Sequence, residues 1–138
     1  MAATETIRPE DVVVGLLAVL WEKNYERFKA DPVSVHSNFY QWRENASFSQ
    51  LFDQFVFDTR DYFPYSETLD QVFDGLQLAG YLERTNPRGI YYMITPEVKT
   101  LFKKDVGSKF KGPQRKVLEA LAEEFIRNIK PEKKRAGR

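Results

Sequence analysis

The sequence predicts a mainly α domain of about six helices with one two-stranded β-hairpin. Apolar residues recur at helical spacing in several separate segments. Helix starts are marked repeatedly by a proline suited to the first helical position, at Pro9, Pro32, Pro96 and Pro113. Between Ser66 and Thr95, a single amphipathic helix runs into two short β-prone segments separated by turn residues.

That stretch organises the rest. Leu69, Val72, Phe73, Leu76 and Ala79 share one helical face, Ser66 is suited to the N-cap and Glu67 to the first turn. Gly80 stands where a left-handed residue commonly ends a helix. Tyr81–Thr85 and Ile90–Ile94 then read as strands, and Asn86-Pro87-Arg88-Gly89 as the hairpin turn between them.

Leu69, Phe73 and Leu76, then Gly80-Tyr81-Leu82-Glu83-Arg84 and Tyr92-Met93-Ile94-Thr95, resemble the second half of a bacterial winged-helix domain, of the kind found in MarR-like and PadR-like regulators. The resemblance covers residues 66–96, about a quarter of the chain. It implies a helix-turn-helix fold, with DNA bound through the helix at 66–79 and the wing at 84–89. The connection Asp58–Tyr65 departs from the pattern, being longer than the 3–4-residue turn of a standard helix-turn-helix.

Taken in order, the first helix is expected from Pro9 to near Ala30. Val13, Leu16, Leu17 and Leu20 form one stripe, and Trp21, Tyr25 and Phe28 continue it on a neighbouring face. Asp31-Pro32 can open a second helix carrying Val35, Phe39 and Trp42, although Val33-Ser34-Val35 also suits an extended start. Ser47-Phe48-Ser49-Gln50 has the form of a capping box, with Phe48, Leu51, Phe52, Phe55 and Val56 following at helical spacing. Thr95-Pro96-Glu97 reads as cap, first position and acidic second position of a helix bearing Val98, Leu101 and Phe102. Asp105–Gly112 breaks the pattern. A last helix opens at Pro113 with Val117, Leu118, Leu121, Ala122, Phe125 and Ile129 on one face, which can pack on its own domain or pair with a second copy. The expected organisation is a single domain over residues 1–129 and a disordered basic tail, 130–138.

The absence of cysteine excludes disulfides and thiolate chemistry. The ten-residue apolar run Val12–Trp21 is too short to span a bilayer, and the N-terminus lacks a basic leader, so a cytoplasmic protein without membrane attachment is expected. The net charge of +1 conceals a division: residues 1–98 hold 8 basic and 15 acidic residues, residues 99–138 hold 13 and 5. Such asymmetry suggests an anionic partner for the second part, or mutual neutralisation of the two.

Two function classes follow. For binding double-stranded DNA as a transcriptional regulator, Arg84, Asn86 and Arg88 on the wing, with Lys99, Lys103, Lys104, Lys109, Lys111, Arg115 and Lys116, can neutralise phosphates. The helix at 66–79 opposes this, because Glu67, Asp70 and Asp74 stand there with no Lys or Arg. For a protein-interaction adaptor, those carboxylates with Tyr62, Phe63 and Tyr65, and Tyr91 and Tyr92 on the wing, offer a partner surface. An enzyme is not expected. His36, the only histidine, lacks a nucleophile or metal-ligand partner and suits a surface or helix-packing role. Asp53, Asp58 and Asp61 could share a hard cation but read better as a solvated face. No cofactor or metal is expected, and a homodimer through the last helix is.

Overall fold

The computed structural model describes residues 6–60, 62–85 and 90–134. It is mainly helical, with five α-helices and a four-stranded antiparallel sheet among those residues, where the sequence predicted about six helices and two strands. The order is α1 (Pro9–Glu22), β1 (Tyr25–Lys29), α2 (Pro32–Glu44), α3 (Glu67–Leu78), β2 (Leu82–Arg84), β3 (Tyr91–Ile94), α4 (Glu97–Leu101), α5 (Pro113–Ile129) and β4 (Glu132–Lys133). Strands lie in the order β2-β3-β1-β4. In register, Leu82 faces Ile94, Arg84 faces Tyr92, and Tyr92 in turn faces Phe28.

The helix-to-hairpin unit forms as its residues dictate. Ser66 Oγ accepts the Leu69 amide at 3.1 Å, capping α3. At its other end Gly80 takes φ +85°, its amide reaches the Gln77 carbonyl, and the Tyr81 amide reaches that of Leu76. This paired closure satisfies two orphan carbonyls and turns the chain directly into β2. The expected turn at 86–89 lies outside the described residues.

Elsewhere the structure corrects four expectations. The first helix stops at Glu22, not near Ala30, because Asn24 adopts φ +75° and the following residues pair with β3 as β1. The Ser47 capping box does not form. The Asn45 side chain takes the Ser47 amide at 2.8 Å, and its carbonyl takes the amides of Phe48 and Ser49. These local bonds compete with helix, and one 3₁₀ turn at Ser49–Leu51 is all that results. Phe48, Leu51, Phe52 and Phe55 are still buried, whereas Val56 is 70% exposed. Thr95 does not cap α4; its hydroxyl donates back to the Gly80 carbonyl at 2.9 Å, locking the hairpin to the α3 turn. Finally, the described part of the tail, residues 130–134, is ordered, where disorder was expected. Glu132 pairs with Arg27 on the sheet edge, the Arg27 guanidinium donates to Glu132 at 2.9 and 3.1 Å, and Lys134 Nζ sits 3.3 Å from the centre of the Trp21 ring.

The core surrounds α1, whose residues 12–20 are all buried. Gly15 lets α5 close in: a Cβ there would stand 3.0 Å from a Leu118 methyl and 3.3 Å from the Phe102 ring. Phe28 joins sheet to helices, edge-on to Phe125 at 5.1 Å and 5.5 Å from Tyr92. Burying one such ring stabilises by about 2–3 kcal/mol. Beyond α4 the chain continues as one π turn, Phe102–Val106, and a 3₁₀ turn, Gly107–Lys109, where the sequence suggested a break. Phe102, Val106 and Phe110 anchor this segment inward.

Candidate functional site

The residues predicted to carry function separate into two groups. Lys99, Lys103 and Arg115 are brought together. They line a hollow of about 370 Å³ with Phe102, Gly107 and Glu22, where α4, the π turn and the first turn of α5 meet the end of α1. The buried side chains of Phe102 and Val106 force Lys103, Lys104 and Asp105 between them onto the outside. Arg115 is positioned twice, by Glu119 at 3.3 Å and by stacking 5.0 Å over Phe102. Lys99, Lys103, Lys104, Lys111 and Lys116 are exposed, and none pairs with a carboxylate among the described residues.

Lys109 does not belong with them. Its Nζ lies 2.8 Å from Asp11 Oδ2, and Asp11 is only 5% exposed. The same carboxylate accepts the Arg8 amide at the start of α1, so this lysine closes a helix cap and neutralises a buried charge.

Arg84 is also drawn away. Its guanidinium lies 5.0 Å from the Tyr92 ring centre and hydrogen-bonds that residue's hydroxyl. It faces a second hollow, of about 500 Å³, between the start of α2, α3 and the β2–β3 pair. Asp31, Asp70 and Asp74 line it, with Tyr65, Phe73 and Tyr92. Asn86 and Arg88 lie outside the described residues.

Under this second hollow runs a hydrogen-bonded network. The Ser66 amide donates to His36 Nδ1 at 3.0 Å, so the ring proton is on Nε2 and is given to Asp70 Oδ1, also at 3.0 Å. Tyr65 Oη donates to Asp70 Oδ2 at 2.5 Å, and the Tyr65 ring stacks on His36 at 5.0 Å and 14°. That bond to Asp70, more than burial or the further carboxylates Glu67 and Asp74, pushes the Tyr65 phenol up to about 12. His36 is therefore a buried packing residue between α2 and α3, the second of the two roles its isolation left open. Its link to Asp70 was not legible, because the partners are 34 residues apart.

The aromatic loop divides as well. Asp58 and Tyr65 bridge through their backbones, and Arg60 holds the Asp58 carboxyl down at about 2 by hydrogen bonding. Asp58 is thus taken up by Arg60, and Asp61 lies outside the described residues. Tyr65 belongs to the network, Phe63 is half-buried beside His36, and Tyr62 stands 88% exposed. On α3, Glu67 and Asp74 are exposed, as is Leu78 at 91%. Tyr91 and Tyr92 are half-buried; Tyr91 bonds Glu132, which raises the phenol and lowers the carboxyl.

The apolar face of α5 packs inside the chain, with Leu118, Leu121, Ala122 and Phe125 buried. Self-pairing through this helix would have to use its remaining surface. No helix among the described residues is long and apolar enough to cross a membrane. Comparison with family models, curated proteins and solved structures found no match.

Proposed function

We propose that this chain is a nucleic-acid-binding protein of winged-helix type, a regulator that holds double-stranded DNA by its phosphate backbone. The observation that carries the reading is the set of five exposed lysines at 99, 103, 104, 111 and 116, unpaired among the described residues, two of which frame a hollow with Arg115. Unpaired lysines gain most from phosphate, because counterion release adds to affinity and no internal ion pair has to be broken. The amino end of α5, 17 residues long, adds a positive partial charge beside Arg115 and Lys116.

The helix-glycine-hairpin unit supports the winged-helix part of the reading, but the manner of binding differs from what the family resemblance implies. Glu67 and Asp74 on the open face of α3 repel a groove, and Arg84 is engaged with Tyr92. Binding through the lysine surface alone reads backbone and not base edges, so it is steeply salt-dependent and weakly sequence-specific. The test is fluorescence anisotropy with a labelled random duplex at several salt concentrations. Log K should fall linearly with log salt, and each lysine removed should lower the slope by about 0.9. A flat salt profile would falsify the proposal.

A second reading rests on a different observation. Leu78 and Tyr62 are almost fully exposed, and large apolar side chains beside carboxylates suit a protein partner with a basic, partly apolar surface. A pull-down that Leu78→Asp abolishes while Lys103→Glu leaves intact would favour this adaptor role.

A further inference from the structure

The hollow in the lysine surface differs from its surroundings in shape and in how its cations are held. It encloses about 370 Å³, with Lys99, Lys103 and Arg115 on its lining against one carboxylate, the exposed Glu22. Lys99 and Lys103 stand four residues apart on one wall, and the buried Val98, Phe102 and Val106 fix the backbone that carries them. Arg115 is the most closely positioned of the three. Its Nε donates to Glu119, which does not line the hollow, and its guanidinium lies over the Phe102 ring. Neither of its terminal nitrogens has an acceptor among the described residues. A guanidinium held in this way presents a two-nitrogen fork, which matches two oxygens of one phosphate.

The donors outnumber what most anions can accept. The fork takes two oxygens, and the ammonium groups of Lys99 and Lys103 call for a third and for more than one negative charge. A carboxylate brings two oxygens and a single charge, which the fork alone would use. A phosphate inside a strand also has two free oxygens and one charge, and its chain must leave on both sides. A terminal phosphate has three free oxygens, carries about −1.5 to −2 at neutral pH and hangs from one bond, so it can enter a concave site.

We propose that this hollow seats a phosphate monoester, the 5′ phosphate that ends a nucleic-acid strand or that a mononucleotide carries. Arg115 forks two of its oxygens, and Lys99 and Lys103 take the third. The inference rests on the nucleic-acid reading and deepens it: the lysine surface holds the duplex, and the hollow recognises its end.

The experiment compares two labelled duplexes of one sequence, 5′-phosphorylated and 5′-hydroxyl, by anisotropy with the full chain at fixed salt. The phosphorylated duplex should bind roughly tenfold tighter. Arg115→Lys keeps the charge but loses the fork, and should narrow that ratio. Glu22→Gln should widen it. Lys116→Ala, outside the hollow, should weaken both duplexes alike and leave the ratio as it was. In a second arm, adenosine 5′-monophosphate is titrated by amide-resolved NMR, with adenosine as control, and shifts are expected at Lys99, Lys103, Gly107 and Arg115. Equal affinity for the two duplexes together with those shifts would assign the phosphate to a free nucleotide. Equal affinity without them overturns the inference and leaves the nucleic-acid reading standing. Shifts with no duplex binding at low salt would overturn that reading and keep the phosphate site, and neither response would overturn both.

Discussion

The α4–α5 region and the α2–α3 region use charge in opposite ways. Around α4 and the start of α5, five lysines point outward with no acidic neighbour bonded to them among the described residues, and the structure beneath is apolar. Around α2 and α3, carboxylates dominate, and the central one is bound inward to a buried histidine and a tyrosine. Charge left to solvent costs the fold little and is available for a partner. Charge tied into a network contributes to the fold, and its removal leaves donors unsatisfied. Substitutions in the first region should therefore alter binding without altering stability, and those in the second should do the reverse.

Lys109 is the sharpest way to break this division, since it lies in the basic sequence region but does structural work. Lys109→Ala leaves Asp11 buried without its cation, which should cost about 3 kcal/mol in urea unfolding. The salt slope of DNA binding should stay as it is. An unchanged stability would mean that the Asp11 pair is not held in solution.

Lys99→Ala combined with Lys103→Ala should show the opposite pattern. Losing two phosphate contacts lowers affinity roughly 50-fold at 0.1 M salt, since each contact is worth about 0.9 in log K per decade of salt. The unfolding midpoint should not move. If affinity holds and the midpoint falls, these lysines serve the fold and the contrast between the two regions fails.

The same contrast explains how much the sequence revealed. Short-range features were legible: the Ser66 cap, the glycine that ends α3, the apolar face of α5 and the hairpin are all set by residues a few positions apart. Features decided over long distances were not. Trp21, Tyr25 and Phe28 keep helical spacing, yet Asn24 turns left-handed and Phe28 is claimed by Phe125, 97 positions later. Phe52 packs on Phe39 and Trp42 and Phe55 on Phe39, so both are buried without needing a helix of their own. The basic residues looked like one set in sequence. Only tertiary structure sends Lys109 to Asp11 and Arg84 to Tyr92, leaving Lys99, Lys103, Lys104, Lys111 and Lys116 without a carboxylate partner among the described residues.

Tyr65 sharpens the acidic side of the comparison. Tyr65→Phe removes one hydrogen bond to a half-exposed carboxylate and should cost about 1 kcal/mol. The pH dependence has a definite sign. The folded pKa, about 12, is above the ordinary value of 10, so the contribution is complete below pH 10 and is lost as pH rises towards 12. Phenolate absorbance followed against pH should show one late-titrating tyrosine fewer in the variant than in the wild type, the raised Tyr91 and Tyr92 remaining in both. A late-titrating amplitude unchanged in Tyr65→Phe would assign it wholly to those other rings.

The smallest effect is expected at the sheet edge, where the basic carboxy-terminal segment meets the acidic body of the chain. Glu132 accepts from both Arg27 and Tyr91, bonds that hold its carboxyl below the usual value. A carboxyl lowered on folding stabilises above its unfolded pKa, and that stabilisation disappears as pH falls through the folded one. The pair is partly exposed, so Glu132→Gln should cost only about 0.5 kcal/mol at neutral pH, with the difference from wild type vanishing in acid. Hydrogen exchange at the Lys134 amide, which bonds the Asn24 carbonyl, reads the docking of β4 directly. Faster exchange in the variant at neutral pH, converging with wild type in acid, would show that one carboxylate decides whether this segment joins the sheet. Equal exchange throughout would assign that task to the backbone pairing and to Lys134 over Trp21.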